Sequence, residues 1–181
     1  SAPSGAGKTS IIKYLLDKIS STEFSISATS RKPRKNEKNG IDYHFISVNS
    51  FKKKIENNEF IESEEVYENV FYGTLHSEID RIWKNGKTVL LDMDVKGGLK
   101  IKSIFKKKAL SIFIKPPSIK SLDNRLAKRA LDTQKSIQER LQKSEFELGY
   151  AEEFDVILEN KDLDKTKNEA FRIVIEFIEG K

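Results

Sequence analysis

Cysteine is absent from the chain, no apolar run is long enough to cross a bilayer, and the two histidines, His44 and His76, stand alone. Without cysteine there are no disulfides and no thiolate metal sites, which fits a reducing compartment. Two isolated histidines make a poor metal pair. No charged-then-apolar leader is present, so neither membrane insertion nor secretion is indicated and a cytoplasmic protein is expected. Blocks of one charge sign are missing too. The 33 basic and 28 acidic residues give a formal net charge of +5, but they interleave along the chain. That pattern describes a solvated basic surface better than a nucleic-acid stripe, and it also suits an enzyme that gathers several phosphate groups. At 181 residues the chain suits a single α/β domain with a substantial core.

What is present is concentrated at the start. Ser4-Gly5-Ala6-Gly7-Lys8-Thr9-Ser10 reads as a phosphate-binding loop, followed by Ile11, Ile12, Leu15, Leu16 and Ile19 at helical spacing. A small, Gly-rich turn lets consecutive N–H groups converge on a polyphosphate, and the following helix points its positive end at the same anion. Lys8 adds a full charge for the β- and γ-phosphates, and the Thr9 hydroxyl is placed to ligate magnesium. Ala2 stands where the GxxxxGK[ST] pattern has its first glycine. Such loops leave the end of a buried strand, so a short apolar strand is expected before Ser1 in the natural chain.

Further along, Phe24 to Ala28 alternates as a half-buried strand and delivers the basic loop Thr29 to Arg34, which Pro33 closes. Tyr43 to Ile46 resumes strand character, and Ser50 is a plausible helix cap before Phe51 and Ile55. Glu59 to Tyr72, with a turn at Glu68-Asn69, predicts an antiparallel hairpin. Leu75, Ile79, Ile82 and Trp83 stripe a helix that ends at Asn85-Gly86. The run Thr88 to Leu91 then predicts a core strand with Asp92 and Asp94 at its carboxyl end. Gly97-Gly98 opens a helix, Leu110 to Ile114 supplies the next strand, and Ser118 caps a charged helical stretch bearing Arg125 and Arg129; Ala130 to Thr133 breaks it, and a second helix carries Ile137, Arg140, Leu141 and Leu148. A strand over Asp155 to Glu159 and a closing helix striped by Phe171, Val174, Ile175 and Ile178 follow. Strands alternating with helices predict a mostly parallel sheet covered on both faces, a three-layer α/β sandwich with its site at the carboxyl ends of the strands.

In this order the motifs resemble the guanylate kinases, phosphate-loop kinases of nucleoside monophosphates. The resemblance runs through the phosphate loop, Ser27 to Arg34, Gly40 to Phe45, Asn58 to Glu62, Phe71 to Thr74 and Leu91 to Gly97, covering nearly the whole chain. It implies a core over residues 1–30, 75–117 and 150–181, a GMP-binding lobe over 31–74, and a lid over 118–149. It implies transfer of the ATP γ-phosphate to GMP, with magnesium and with no nucleic-acid or membrane partner. Arg31, Arg34 and Tyr43 would bind the GMP phosphate. Ser27, Glu62, Thr74 and Asp94 would surround its base, with Tyr72 also on the acceptor side. Lys8 with the lid arginines Arg129 and Arg140 would be catalytic, and Arg125, Arg129 and Asn160 would join the loop in binding ATP. Asp92, at the end of an apolar strand, is placed to hold magnesium through water. The lid's usual Arg-Gly-Thr reads Arg129-Ala130-Leu131 here, which keeps the charge and lacks the hydroxyl.

The residues agree with that implication. Two arginines three apart can fork onto one phosphate, and one carboxylate such as Glu62 can accept both guanine donors, N1–H and the 2-amino group. Three readings stay open at this point. Taken alone, the arginine loop is a solvated basic turn, Glu62 a surface carboxylate, and Asp92 a helix cap. A guanylate-kinase-like interaction module would use the same acceptor pocket for a phosphopeptide, although such modules have degraded phosphate loops and this one is intact. A nucleic-acid-binding ATPase would share the loop alone.

Overall fold

The computed structural model describes residues 1–118, 122 and 143–180. Their contacts form two compact units, Ser1–Ile19 with Asp92–Lys181, and Ser20–Leu91.

In the first unit the phosphate loop turns through Gly5 (φ 88°) and Gly7 (φ 102°) into helix α1, Lys8–Lys18. Ala2, at the first glycine of the pattern, is buried and has no positive φ, so the loop's departure from the consensus needs no strained backbone. Ile11 and Leu15 form the buried face of α1, which packs on the closing helix. The Ser1 nitrogen donates to the Ile112 carbonyl, and the Ile114 N–H donates to the Ser1 carbonyl, both at 2.8 Å. These two bonds seat the start of the loop against a strand that pairs in parallel with another (Ile112–Lys115 with Val156–Glu159).

The second unit contains two sheets. Strand β1, Thr22–Phe24, pairs in parallel with β6, Thr88–Leu90. Strands β2 (Ala28–Thr29), β3 (His44–Phe45), β4 (Phe60–Tyr67) and β5 (Val70–Leu75) form the other, in the order β3-β2-β5-β4. Helix α2, Val48–Glu56, lies between β3 and β4, and α3, His76–Lys84, follows β5. The expected hairpin is present, turning through Asn69 at φ 59°. Fully buried Phe51 stacks on Phe60 at 4.4 Å and on Phe71 at 5.4 Å. Gly73 permits this approach: a Cβ there would lie 2.9 Å from both the Glu62 carbonyl oxygen and the Phe60 ring.

After β6, α4 runs Val95–Phe105. In the first unit the two parallel strands become β7 (Ile112–Lys115) and β8 (Val156–Glu159). Residues 143–149 are helical (α5), and α6 spans Leu163–Glu179. Val95, Phe113, Ala151 and Phe154 form the core of this unit. Tyr14 of α1 donates its hydroxyl proton to the Asn168 side chain of α6 at 2.8 Å.

Four local expectations are corrected. The alternating run at Phe24 is two strands. Ser25 N–H still donates to the Leu90 carbonyl beside β6, Ile26 N–H turns to the buried Glu78 carboxylate, and Ala28 starts a different sheet. Ser47, not Ser50, caps α2, its hydroxyl accepting from the Ser50 N–H at 3.1 Å. Helix α4 starts at Val95, before the two glycines, with Asp94 as its cap. Trp83, at the flank of the Ile79 and Ile82 stripe, is 52% exposed.

Candidate active site

The first unit carries the residues expected on the donor side, apart from the lid arginines. Lys8, the first residue of α1, places its ammonium 2.5 Å from Asp92 Oδ1 and donates to the Met93 carbonyl at 3.2 Å. The strand-end carboxylate is thus set on the loop lysine, and the alternative of Asp92 as a helix cap falls to its neighbour. Asp94 Oδ1 accepts from the Gly97 N–H at 2.9 Å, which satisfies one of the free donors at the start of α4. Ser4, Thr9 and Ser10 are exposed around the loop. Glu147 on α5 is buried, and that burial pushes its carboxyl pKa up against the opposing pull of Lys143 and Lys8.

Asn160 sits beneath the loop. Its side chain is fully buried and donates to the Ala6 carbonyl at 2.7 Å, while its own N–H donates to the Lys115 carbonyl at 2.7 Å. An asparagine at the end of β8 therefore holds the loop backbone from below, a contact across 154 residues of sequence. The same packing explains Gly7. A Cβ there would meet Asn160 Nδ2 at 2.4 Å, in a backbone conformation that L residues rarely adopt. Gly7→Ala is expected to cost about 1–3 kcal/mol in backbone strain and about 1–3 kcal/mol more as the Asn160 bond is displaced. Thermal unfolding checks this, at about 2–4 °C of Tm per kcal/mol for a chain of this size.

The second unit carries the residues expected on the acceptor side, Asp94 excepted. Glu62 of β4 and Thr74 of β5 are cross-strand partners, and the buried Thr74 hydroxyl donates to Glu62 Oε1 at 2.7 Å. Tyr72, two residues before Thr74 on the same strand, shares its face by the period of the pleat, about 6.8 Å away. The Tyr72 hydroxyl accepts from Arg31 Nε at 3.0 Å. Arg31 lies over the rings of Tyr43 and Phe45, at 5.1 and 5.5 Å. Its fork grips Glu37 through two bonds of 2.6 Å. Those bonds hold the Glu37 carboxyl down at about 2. Arg34 is exposed, and Ser27 contributes a carbonyl that accepts from the His44 N–H.

The structure thus brings Lys8, Asp92 and the loop together in one unit, and Glu62, Thr74, Tyr72, Tyr43 and Arg31 in the other. Asp94 belongs with the first group, apart in sequence and unit from the other base-side candidates. Arg125, Arg129, Arg140 and the Ala130-Leu131 pair lie outside the described residues. Sequence reasoning missed Glu37, whose only signal was a carboxylate in an otherwise basic loop. It also missed the loop-supporting contact of Asn160, which no local pattern announces.

The family model described as guanylate kinase matches residues 1–177. A guanylate kinase of Porphyromonas gingivalis is 48% identical over 98% of this chain and 95% of its own length. One of Bacteroides fragilis is 47% identical over 98% of this chain and 87% of its own. Among solved structures, the guanylate kinase of Anaplasma phagocytophilum superposes with a TM-score of 0.76 at 30% identity, covering 96% of this chain and 82% of that one.

Proposed function

This chain belongs to the guanylate kinase family, and from that premise we propose that it transfers the γ-phosphoryl group of ATP to GMP, giving ADP and GDP. The observation that carries the reading is one strip of β5. Its Thr74 hydroxyl sets the Glu62 carboxylate of β4, and its Tyr72 hydroxyl, two residues away on the same face, accepts from the Arg31 guanidinium. On this reading Glu62 accepts the two guanine donors, and Arg31, Arg34 and Tyr43 hold the acceptor phosphate. Ser27 and Asp94 complete the surroundings of the base.

On the donor side, the loop from Ser4 to Ser10 cradles the ATP phosphates and Lys8 neutralises charge that builds on the transferred group. Asn160 acts by holding the Ala6 carbonyl, so that the loop N–H groups keep their aim. The lid arginines Arg125, Arg129 and Arg140 add cations to the same phosphates. Magnesium, when bound, shields the donor phosphates. The Thr9 hydroxyl and the Asp92 carboxylate are hard oxygen donors of the right chemistry. Among the described residues there is no group of three or more His, Cys, Asp or Glu side chains that could cage an ion. Such a donor set suits an ion held largely by phosphates and water.

A coupled assay of ATP consumption with GMP, AMP, UMP or dTMP tests the reading. Turnover should require a free mononucleotide and favour GMP. GMP binding without turnover would instead indicate the interaction module, and stimulation by nucleic acid the ATPase.

A further inference from the structure

The donors of Arg31 can be assigned one by one. Nε donates to the Tyr72 hydroxyl at 3.0 Å, Nη1 to the Lys32 carbonyl at 2.9 Å and to Glu37 Oε2 at 2.6 Å, and Nη2 to Glu37 Oε1 at 2.6 Å. A guanidinium has five N–H groups. The one left without a partner among the described residues is the second Nη2 proton, on the same side as Nε. Tyr72 accepts from Nε, so its own hydroxyl proton is available on that side as well. One edge of Arg31 is therefore closed by a carboxylate, and the other presents a guanidinium proton and a phenolic proton side by side.

Glu37 reaches further than Arg31. Its Oε2 also accepts from the Arg34 N–H at 2.7 Å, and the Glu37 N–H returns a bond to the Arg34 carbonyl at 3.0 Å. One side chain thus fixes the guanidinium of the first arginine and the backbone of the second.

We propose that Glu37 is a positioning residue for the acceptor phosphate, holding the end-on edge of Arg31 so that its Nε side, with Tyr72, faces the phosphate. The inference rests on the reading that Arg31 and Arg34 bind that phosphate. A carboxylate in a phosphate site also repels the ligand, but here the guanidinium stands on the carboxylate's open side and compensates its charge. Geometry then outweighs repulsion. A neutral amide at position 37 keeps one acceptor of two, loosens the fork, and returns a flexible side chain to many rotamers.

Steady-state kinetics and calorimetry on Glu37→Gln, Glu37→Asp and Arg31→Lys test it, with guanosine as the ligand lacking a phosphate. Glu37→Gln should raise KM for GMP about tenfold, the equivalent of one charge-assisted bond. KM for ATP and guanosine affinity should hold, and kcat should change less than KM. Glu37→Asp, which keeps the charge but shortens the reach, should fall between and serves if the amide variant fails to fold. A lower KM for GMP in Glu37→Gln would mean that Glu37 competes with the phosphate, and would overturn the proposal. No change with Glu37→Gln beside a large loss with Arg31→Lys would also overturn it while leaving Arg31 on the phosphate. If neither variant alters KM for GMP, the phosphate assignment of Arg31 falls and the role of Glu37 falls with it.

Discussion

Replacing Lys8 by Met is expected to lower kcat by about 10²–10³ or more, the loss seen when one donor to developing transition-state charge is removed. Lys8 opens α1 and pairs with Asp92 in the first unit, whereas the residues assigned to GMP, Asp94 apart, lie in the second. GMP affinity should therefore move by no more than about twofold, the scatter for sites that share no partner. The variant also leaves the half-buried Asp92 without its cation, so thermal unfolding should be recorded beside the kinetics. Introducing Asp92→Asn in the Met variant removes that orphaned charge and should recover stability without recovering turnover. An equal loss of GMP affinity, measured by calorimetry, would contradict the division of labour between the two units.

The second large effect is expected at Glu62. The Thr74 hydroxyl donates to Glu62 Oε1, and an ionised carboxylate, an acceptor only, is the side-chain chemistry that suits both N1–H and the 2-amino group of guanine. Adenine would turn the lone pair of N1 toward it and leave a charged acceptor unsatisfied. Glu62→Gln keeps the volume but offers one acceptor and one NH2 group. When the amide oxygen meets the Thr74 proton, the NH2 group opposes a guanine donor. When the amide flips, Thr74 must turn its own proton away, and one guanine donor still lacks a partner. Losing a charge-assisted bond and adding that conflict should depress kcat/KM for GMP by roughly one to three orders of magnitude. AMP should suffer much less. An unchanged ratio of GMP to AMP would mean that this carboxylate does not read the base.

The phosphate loop and the hairpin that carries Glu62 were legible in the sequence because their signals are local, whereas the assignment of Glu62 to the base came from the resemblance. Lys8 sits in a fixed motif, and Glu62 lies on a strand whose alternation and turn at Asn69 announce a hairpin. The capping residues were harder. Ser47 and Ser50, and Asp92 and Asp94, are pairs of equally good caps, and only the residue at which the chain turns helical chooses between them. The break between β1 and β2 escaped notice because alternation reports burial on one face, not which neighbour a strand pairs with. Asn160 and Glu37 lie furthest from legibility. The first needs β8 to end under the phosphate loop, and the second needs a turn that folds the chain back six residues onto Arg31.

In the proposed reaction one phosphoryl group passes from a donor held by the Lys8 loop to an acceptor held by Glu62 and Arg31. Product analysis with γ-labelled ATP tests it most directly: the protein is incubated with labelled ATP and GMP, and the products are separated by chromatography. The label should appear in GDP, with little in inorganic phosphate, and none should reach a diphosphate when GMP is omitted. Label found mainly in inorganic phosphate, at a rate indifferent to GMP, would contradict the account.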